Sequence, residues 1–216
     1  MNSYTDPGQH IFWIASRAFG VVALVLVAVS VGMGLAMAMR AAKGPGAMAR
    51  LKQAHEATAL TALIFIAAHG LVLLGDTYLR PGLSGIAVPF VMSHKPLWTG
   101  LGVVGGWMAG LLGLTFYVRR WIGPKLWRQM HRWTLAVYAL AVVHTLGAGT
   151  DSRSLWLLII VIATVAPLAV MAAVRLLPSD EPPSGRPRRR IPLPSEQFSA
   201  PAPASPYDYE PARWRG

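Results

Sequence analysis

The chain has 216 residues, 54% of them apolar and only 13% charged, with 20 Lys and Arg set against 9 Asp and Glu for a net charge of +11. Soluble domains carry about 25% charged residues, so a single water-soluble domain and a wholly disordered chain are both excluded. Cysteine is absent, which removes disulfides, Cys-ligated zinc, iron–sulfur ligation and thiol catalysis.

Five apolar runs of spanning length follow in order: Ile11–Met39, Ala54–Gly75, Pro96–Val118, His131–Gly149 and Leu155–Val174. About 20 residues at 1.5 Å each cross a hydrocarbon core of roughly 30 Å. The bilayer offers no water to unpaired backbone groups, so each run is read as a helix. The fold class expected is all-α, an integral membrane helical bundle with five transmembrane helices. The first run has no basic segment before it and is too long for the apolar core of a cleavable signal peptide. A basic soluble protein would suggest a nucleic-acid partner; here the cations lie in short connections between apolar runs, so the partner expected is the lipid bilayer, with no nucleic acid.

Those connections set an orientation. No Lys or Arg precedes Ile11. Arg40, Lys43, Arg50 and Lys52 lie between the first two runs, and Arg80 and Lys95 between the second and third. Arg119, Arg120, Lys125, Arg128 and Arg132 follow the third run, and Arg153 alone precedes the fifth. Rich and poor connections alternate, which places the N-terminus outside and the C-terminus in the cytoplasm of a multi-pass cell-membrane protein. Trp13, Trp98, Trp121, Trp127, Trp133 and Trp156 fall near run ends, as an interfacial belt does. Residues 1–177 form the membrane domain. From Pro178 to Gly216 the apolar periodicity stops and ten of the seventeen prolines are concentrated, so 178–216 reads as a disordered, Pro- and Arg-rich cytoplasmic tail.

Four of the six histidines lie in two runs: His55 and His69 in the second, His131 and His144 in the fourth. Separations of 14 and 13 residues correspond to about 20 Å along a helix. The orientation puts His55 and His131 at the cytoplasmic level and His69 and His144 at the outer level, two facing pairs at two depths. Intramembrane ionisable groups are costly and mark function. Neutral imidazole ligates zinc, copper and haem iron. Zinc needs further ligands, and no Cys, Asp or Glu lies mid-run to supply them. Haem needs only two axial ligands from the protein, and a helical bundle can hold the ring between facing helices. One geometric problem accompanies this. Fourteen residues return to the same helix face, whereas thirteen rotate an ideal helix by about −140°, so His131 and His144 share a face only if the helix is wound, bulged or tilted between them.

The double spacing, together with the stretch Trp127-Arg128-Gln129-Met130-His131-Arg132-Trp133 running on to His144, resembles the ferric-reductase-like transmembrane domain family of b-type cytochromes. That family includes NADPH oxidases, ferric reductases and the haem-binding subunit of a methionine sulfoxide reductase system, and the likeness covers residues 11–175. It implies two haem b groups, the inner held by His55 and His131 and the outer by His69 and His144. It also implies that Arg17, early in the first run, lies near the outer haem as a propionate partner; snorkelling to the interface is the plainer alternative. The function implied is electron transfer across the membrane to an external acceptor. No dinucleotide fingerprint follows a strand here, so the donor expected is a separate reductase or a membrane quinol, and the chain is expected to be an oxidoreductase component without its own flavin or nicotinamide domain. The alternatives are a quinol-linked cytochrome b anchor for another redox enzyme, and a metal or proton transporter using the histidines as relays.

Smaller signals keep two readings each. Asp76 and Asp151 each follow an outer histidine by seven residues, forming either a cation-attracting rim or helix-end turns. His94 is an acceptor-site residue or a solvated loop histidine. Glu56 is a proton acceptor or the partner of an inner-loop cation. Gly102, Gly106 and Gly110 give a packing face or room for a porphyrin. Met33 and Met37 read as packing.

Overall fold

A computed structural model of the chain describes residues 10–176. The tail expected from 178 to 216 lies outside the described residues. The described chain is all-α: α1 Ile11–Ala38, α2 Ala47–Val72 continued by a 3-10 turn Leu73–Gly75, α3 Gly82–Ala87, α4 Pro96–Ile122, α5 Pro124–His131, α6 Thr134–Ala148 and α7 Leu155–Leu176. Among the described residues, four helices are long and apolar enough to cross a membrane: α1, α2 with its 3-10 turn, α4 and α7. This is the architecture of a multi-pass membrane protein. Its outward surface agrees, since Leu60, Ile64, Leu111, Leu114, Ile159 and Ile162 all stand exposed along these helices, where bilayer hydrocarbon replaces the protein core that a soluble fold would need.

The expected fourth span is shorter than the sequence suggests. The run His131–Gly149 is interrupted at Arg132–Trp133, and α6 proper has 15 residues, about 22 Å of helix against roughly 30 Å of hydrocarbon. Two local features build the interruption. Gly123 takes φ of 81° and ends α4, and Pro124 opens α5 at the position where a missing N–H costs nothing. Then α5 runs out into three tight bonds: Arg132 N–H to Gln129 O (3.3 Å), Trp133 N–H to Met130 O (3.0 Å) and Leu135 N–H to Arg132 O (3.3 Å). Each spans three residues rather than four, the 3-10 pattern.

Two antiparallel helix pairs make the frame, α1 along α2 and α4 along α6, with α7 against α1. The apolar core lies where α1, α6 and α7 meet, around Leu24, Ala28, Val31, Tyr138, Val161 and Leu168. Tyr138 is buried, and its hydroxyl donates to Thr164 Oγ1 at 2.8 Å, tying α6 to α7. The Thr164 hydroxyl in turn donates to its own helix at Ile160 O, 2.9 Å. α2 approaches α5 and α6 through histidine rings.

Candidate functional site: two facing histidine pairs

The four histidines meet as two pairs. The rings of His55 and His131 lie 6.0 Å apart between centroids at 84°, and those of His69 and His144 lie 6.0 Å apart at 75°. The rings found together are the ones the sequence reading paired, His55 with His131 and His69 with His144. The thirteen-residue problem is resolved by the interruption: a 3-10 step turns about 120° against 100° in an α-helix, so tightening adds rotation in the sense needed, and the break lets α5 and α6 take separate axes.

Each pair is fixed from behind by a main-chain carbonyl. His69 Nδ1 lies 2.7 Å from Ser16 O, His55 Nδ1 lies 2.9 Å from Ser30 O, and His144 Nδ1 lies 2.9 Å from Trp98 O. A carbonyl carries no proton, so the imidazole nitrogen must donate. That assigns the Nδ1–H tautomer to all three and leaves Nε2 as the nitrogen with a free lone pair. A histidine held this way is oriented as metal-ligating histidines are, with the second nitrogen on a carbonyl that raises ligand basicity. The serine hydroxyls add to the hold. Ser16 Oγ donates to His69 O at 2.8 Å, and Ser30 Oγ lies 3.2 Å from His55 Nδ1. His131 differs. Its ring stacks on Trp127 at 5.0 Å and 21°, and both His131 Nδ1 and Trp127 Nε1 are buried without a hydrogen-bond partner among the described residues.

Room for the rings is made by glycine. A Cβ on Gly20 would sit 2.9 Å from His69 Nδ1, one on Gly34 would sit 3.7 Å from His55 Cε1, and one on Gly102 would overlap the His144 ring. Ser16 and Gly20 thus serve His69 as Ser30 and Gly34 serve His55. Sequence reasoning missed these four residues, although a signal was present. The pattern Ser-x-x-x-Gly occurs twice in α1, 14 residues apart, the same spacing as His55 to His69. Fourteen residues return to the same face on both helices, so an antiparallel neighbour carries the same device at both depths.

The pairs have the donor chemistry for a group needing two nitrogen ligands. Ring centroids 6.0 Å apart bring the two imidazoles of each pair to within about half an ångström of the spacing at which both could bond one metal at about 2.0–2.1 Å. Among the described residues there is no cluster of three or more His, Cys, Asp or Glu that would complete a metal's coordination from protein alone. A metal at either level would have to bring further ligands of its own.

Comparison with family models, with curated proteins and with solved structures returns no match.

The remaining candidate residues are placed as follows. Arg17 forms an ion pair with Asp151 and lies over the Trp13 ring at 4.3 Å, so its charge is met by a carboxylate of the α6–α7 turn. Asp76 is buried and accepts from Tyr78 N–H (3.0 Å) and Leu79 N–H (2.6 Å), which is turn chemistry. The two aspartates are thus separately engaged. Glu56 lies 3.7 Å from Lys52 one helical turn earlier. His94 lines an open cleft with Tyr78, Leu79 and Ser93. A Cβ on Gly106 would lie 3.7 Å from Ile66 Cγ2 of α2, while one on Gly110 would meet open space.

Proposed function

We propose that this chain is a di-haem b-type membrane cytochrome that passes electrons across the bilayer, similar to the ferric-reductase-like transmembrane domain family. In this reading α1, α2, α4, the α5–α6 segment and α7 make five spans, with the N-terminus outside and the C-terminus cytoplasmic. His55 and His131 hold the inner haem, and His69 and His144 the outer. Electrons enter from a separate reductase or from quinol and leave to an external acceptor. The observation that carries the reading is the geometry of the pairs: two depths, equal ring separations of 6.0 Å, and three of four Nδ1 atoms on main-chain carbonyls with Nε2 left free. The donor set supports haem over zinc, because each level offers two imidazoles and, among the described residues, no third His, Cys, Asp or Glu grouped with them.

Bound at these positions, haem would supply one-electron carriage, held at one level by His55 and His131 and at the other by His69 and His144. The chain's own contributions are positional. The Ser16, Ser30 and Trp98 carbonyls fix tautomer and basicity. Gly20, Gly34 and Gly102 admit the rings. Phe19 and Phe65, in edge contact at 5.6 Å, add apolar bulk beside the second helix between the levels, helping to exclude water. Arg17 as a propionate partner would have to share its charge with Asp151.

Purified protein is expected to show a low-spin b-type absorption spectrum that shifts on addition of dithionite, with two haems per chain. A colourless protein refutes the reading and favours a transporter. Replacing His69 or His144 by Ala removes one haem and spares the other. Loss of both together from a chain that still melts as a folded protein refutes the pairing by depth.

A further inference from the structure

The connection between α2 and α4 has the composition of a membrane segment rather than of a loop in water. From Pro81 to Ser93 it carries no charged residue, and Arg80 and Lys95 bracket it. Leu83, Val88, Phe90 and Val91 all stand exposed. Yet the segment is ordered against α4. Gly85 N–H bonds Pro81 O at 3.0 Å and Val88 N–H bonds Ser84 O at 2.8 Å. Met92 is buried against Gly85, and the Phe90 ring lies on Gly100. The decisive bond is from Trp107 Nε1 to Ala87 O, 2.7 Å.

That bond sets a depth. Trp107 is eleven residues past Pro96, the first residue of α4, about 16 Å along the axis. Its side chain leans back toward the helix start, and the carbonyl it reaches still lies roughly 10 Å along the helix. The segment therefore runs back down the flank of α4. It does so on one side only. Gly100 and Trp107 are seven residues apart and share a face, whereas Gly102, which admits the His144 ring, is turned about 200° from Gly100. The flank is the one away from the histidine pairs, where Trp107, Leu111 and Leu114 are exposed.

We propose that residues 81–93 form a re-entrant segment immersed in the leaflet at the His69/His144 end, with acyl chains of the bilayer as its partner. Hydrocarbon offers no water to a loop carbonyl, and the Trp107 indole supplies Ala87 with the donor that water would otherwise provide. The depth agrees with the roughly 5–10 Å at which apolar faces settle below the headgroups. The bracketing charges are tied to main-chain carbonyls, Arg80 Nε to Thr77 O at 2.7 Å and Lys95 Nζ to Gly147 O at 3.0 Å.

The absence of native cysteine makes the test direct and independent of the histidine reading. Leu83→Cys, Val88→Cys and Val91→Cys are each labelled with a nitroxide in phosphatidylcholine vesicles, and collision with oxygen is compared with collision with a water-soluble nickel chelate. Ile159→Cys on α7 serves as the hydrocarbon reference and Lys43→Cys as the water reference. All three loop sites are expected to favour oxygen as Ile159→Cys does, with nickel access several-fold below that at Lys43→Cys. Nickel access equal to that at Lys43→Cys overturns the proposal. Adding Trp107→Phe to Val88→Cys is expected to raise label mobility and nickel access at that site and not at Ile159→Cys. No change there overturns the anchoring role of the indole.

Discussion

The duplicated device on α1 makes a paired prediction, because its two copies are not equally tight. Gly20→Ala and Gly34→Ala each add one methyl to the same helix face. At Gly34 the new carbon would lie 3.7 Å from His55 Cε1, an ordinary contact. At Gly20 it would lie 2.9 Å from His69 Nδ1 and 3.1 Å from Cε1, so the ring must move by roughly half an ångström or more to reach normal separation. That movement strains the 2.7 Å bond to Ser16 O. Gly to Ala alone favours a helix by about 0.8–1 kcal/mol, whereas overpacking a fitted site costs about 1–3 kcal/mol. Gly34→Ala should therefore be neutral or slightly stabilising. Gly20→Ala should weaken retention of whatever His69 holds, and 1–3 kcal/mol corresponds to roughly 5- to 150-fold in affinity. The assay is haem per chain after graded dilution in detergent, with thermal melting of the apoprotein alongside. Equal retention in the two variants, or a larger loss in Gly34→Ala, refutes the argument that α1 sets the fit of these rings.

Two further predictions separate structural bonds from site bonds. Arg17→Ala and Asp151→Asn should each lower the melting midpoint slightly, and the double variant little more than either, giving a coupling of about 0.2–1 kcal/mol for so accessible a pair; an altered outer-level spectrum in Arg17→Ala but not in Asp151→Asn would show that Arg17 also serves the bound group. Tyr138→Phe removes the bond to Thr164, whose hydroxyl keeps its bond to Ile160 O, so a loss of about 0.5–1.5 kcal/mol in melting with unchanged spectra is expected; a spectral change would place Tyr138 in the site.

Much of this architecture is legible from composition alone, because a bilayer imposes length and apolarity on whatever crosses it. The bounds of α1 and the start of α4 agree with the apolar runs, and which histidine rings meet agrees with the partners read from loop charges and histidine spacing. Two kinds of feature were not legible. Alternation of loop charge treats 76–95 as a simple connection, since hydropathy averaging passes over thirteen uncharged residues broken by Pro89, Gly82 and Gly85. The partners of the histidines were hidden because two of the three carbonyls belong to serines and one to a tryptophan, and a main-chain acceptor leaves no mark on residue type. What did leave a mark was the need for space. Gly20, Gly34 and Gly102 stand where a ring enters, and a repeat search tuned to the histidine spacing finds the first two.

The thirteen-residue spacing carries the last prediction. In an uninterrupted helix His144 would point about 140° away from the face of His131; in this chain the two residues face α2 at two levels because the run is broken at Arg132–Trp133. The phase of α6 relative to α5 is thus a property of that junction. One alanine inserted between Trp133 and Thr134 should rotate α6 by about 100° and shift it 1.5 Å along its axis if the junction keeps its form. His144 would then leave the Trp98 carbonyl and turn from His69, while His55 and His131, on the other side of the insertion, would keep their separation. The expected result is a chain that loses the outer haem alone. An alanine inserted instead between Ser152 and Arg153, in the α6–α7 turn, should cost neither haem. If the first insertion leaves both haems in place, the junction absorbs extra residues freely and the helical phase argument fails. If it removes both while the second removes none, the two levels are coupled through α6, and the independence of the pairs is refuted.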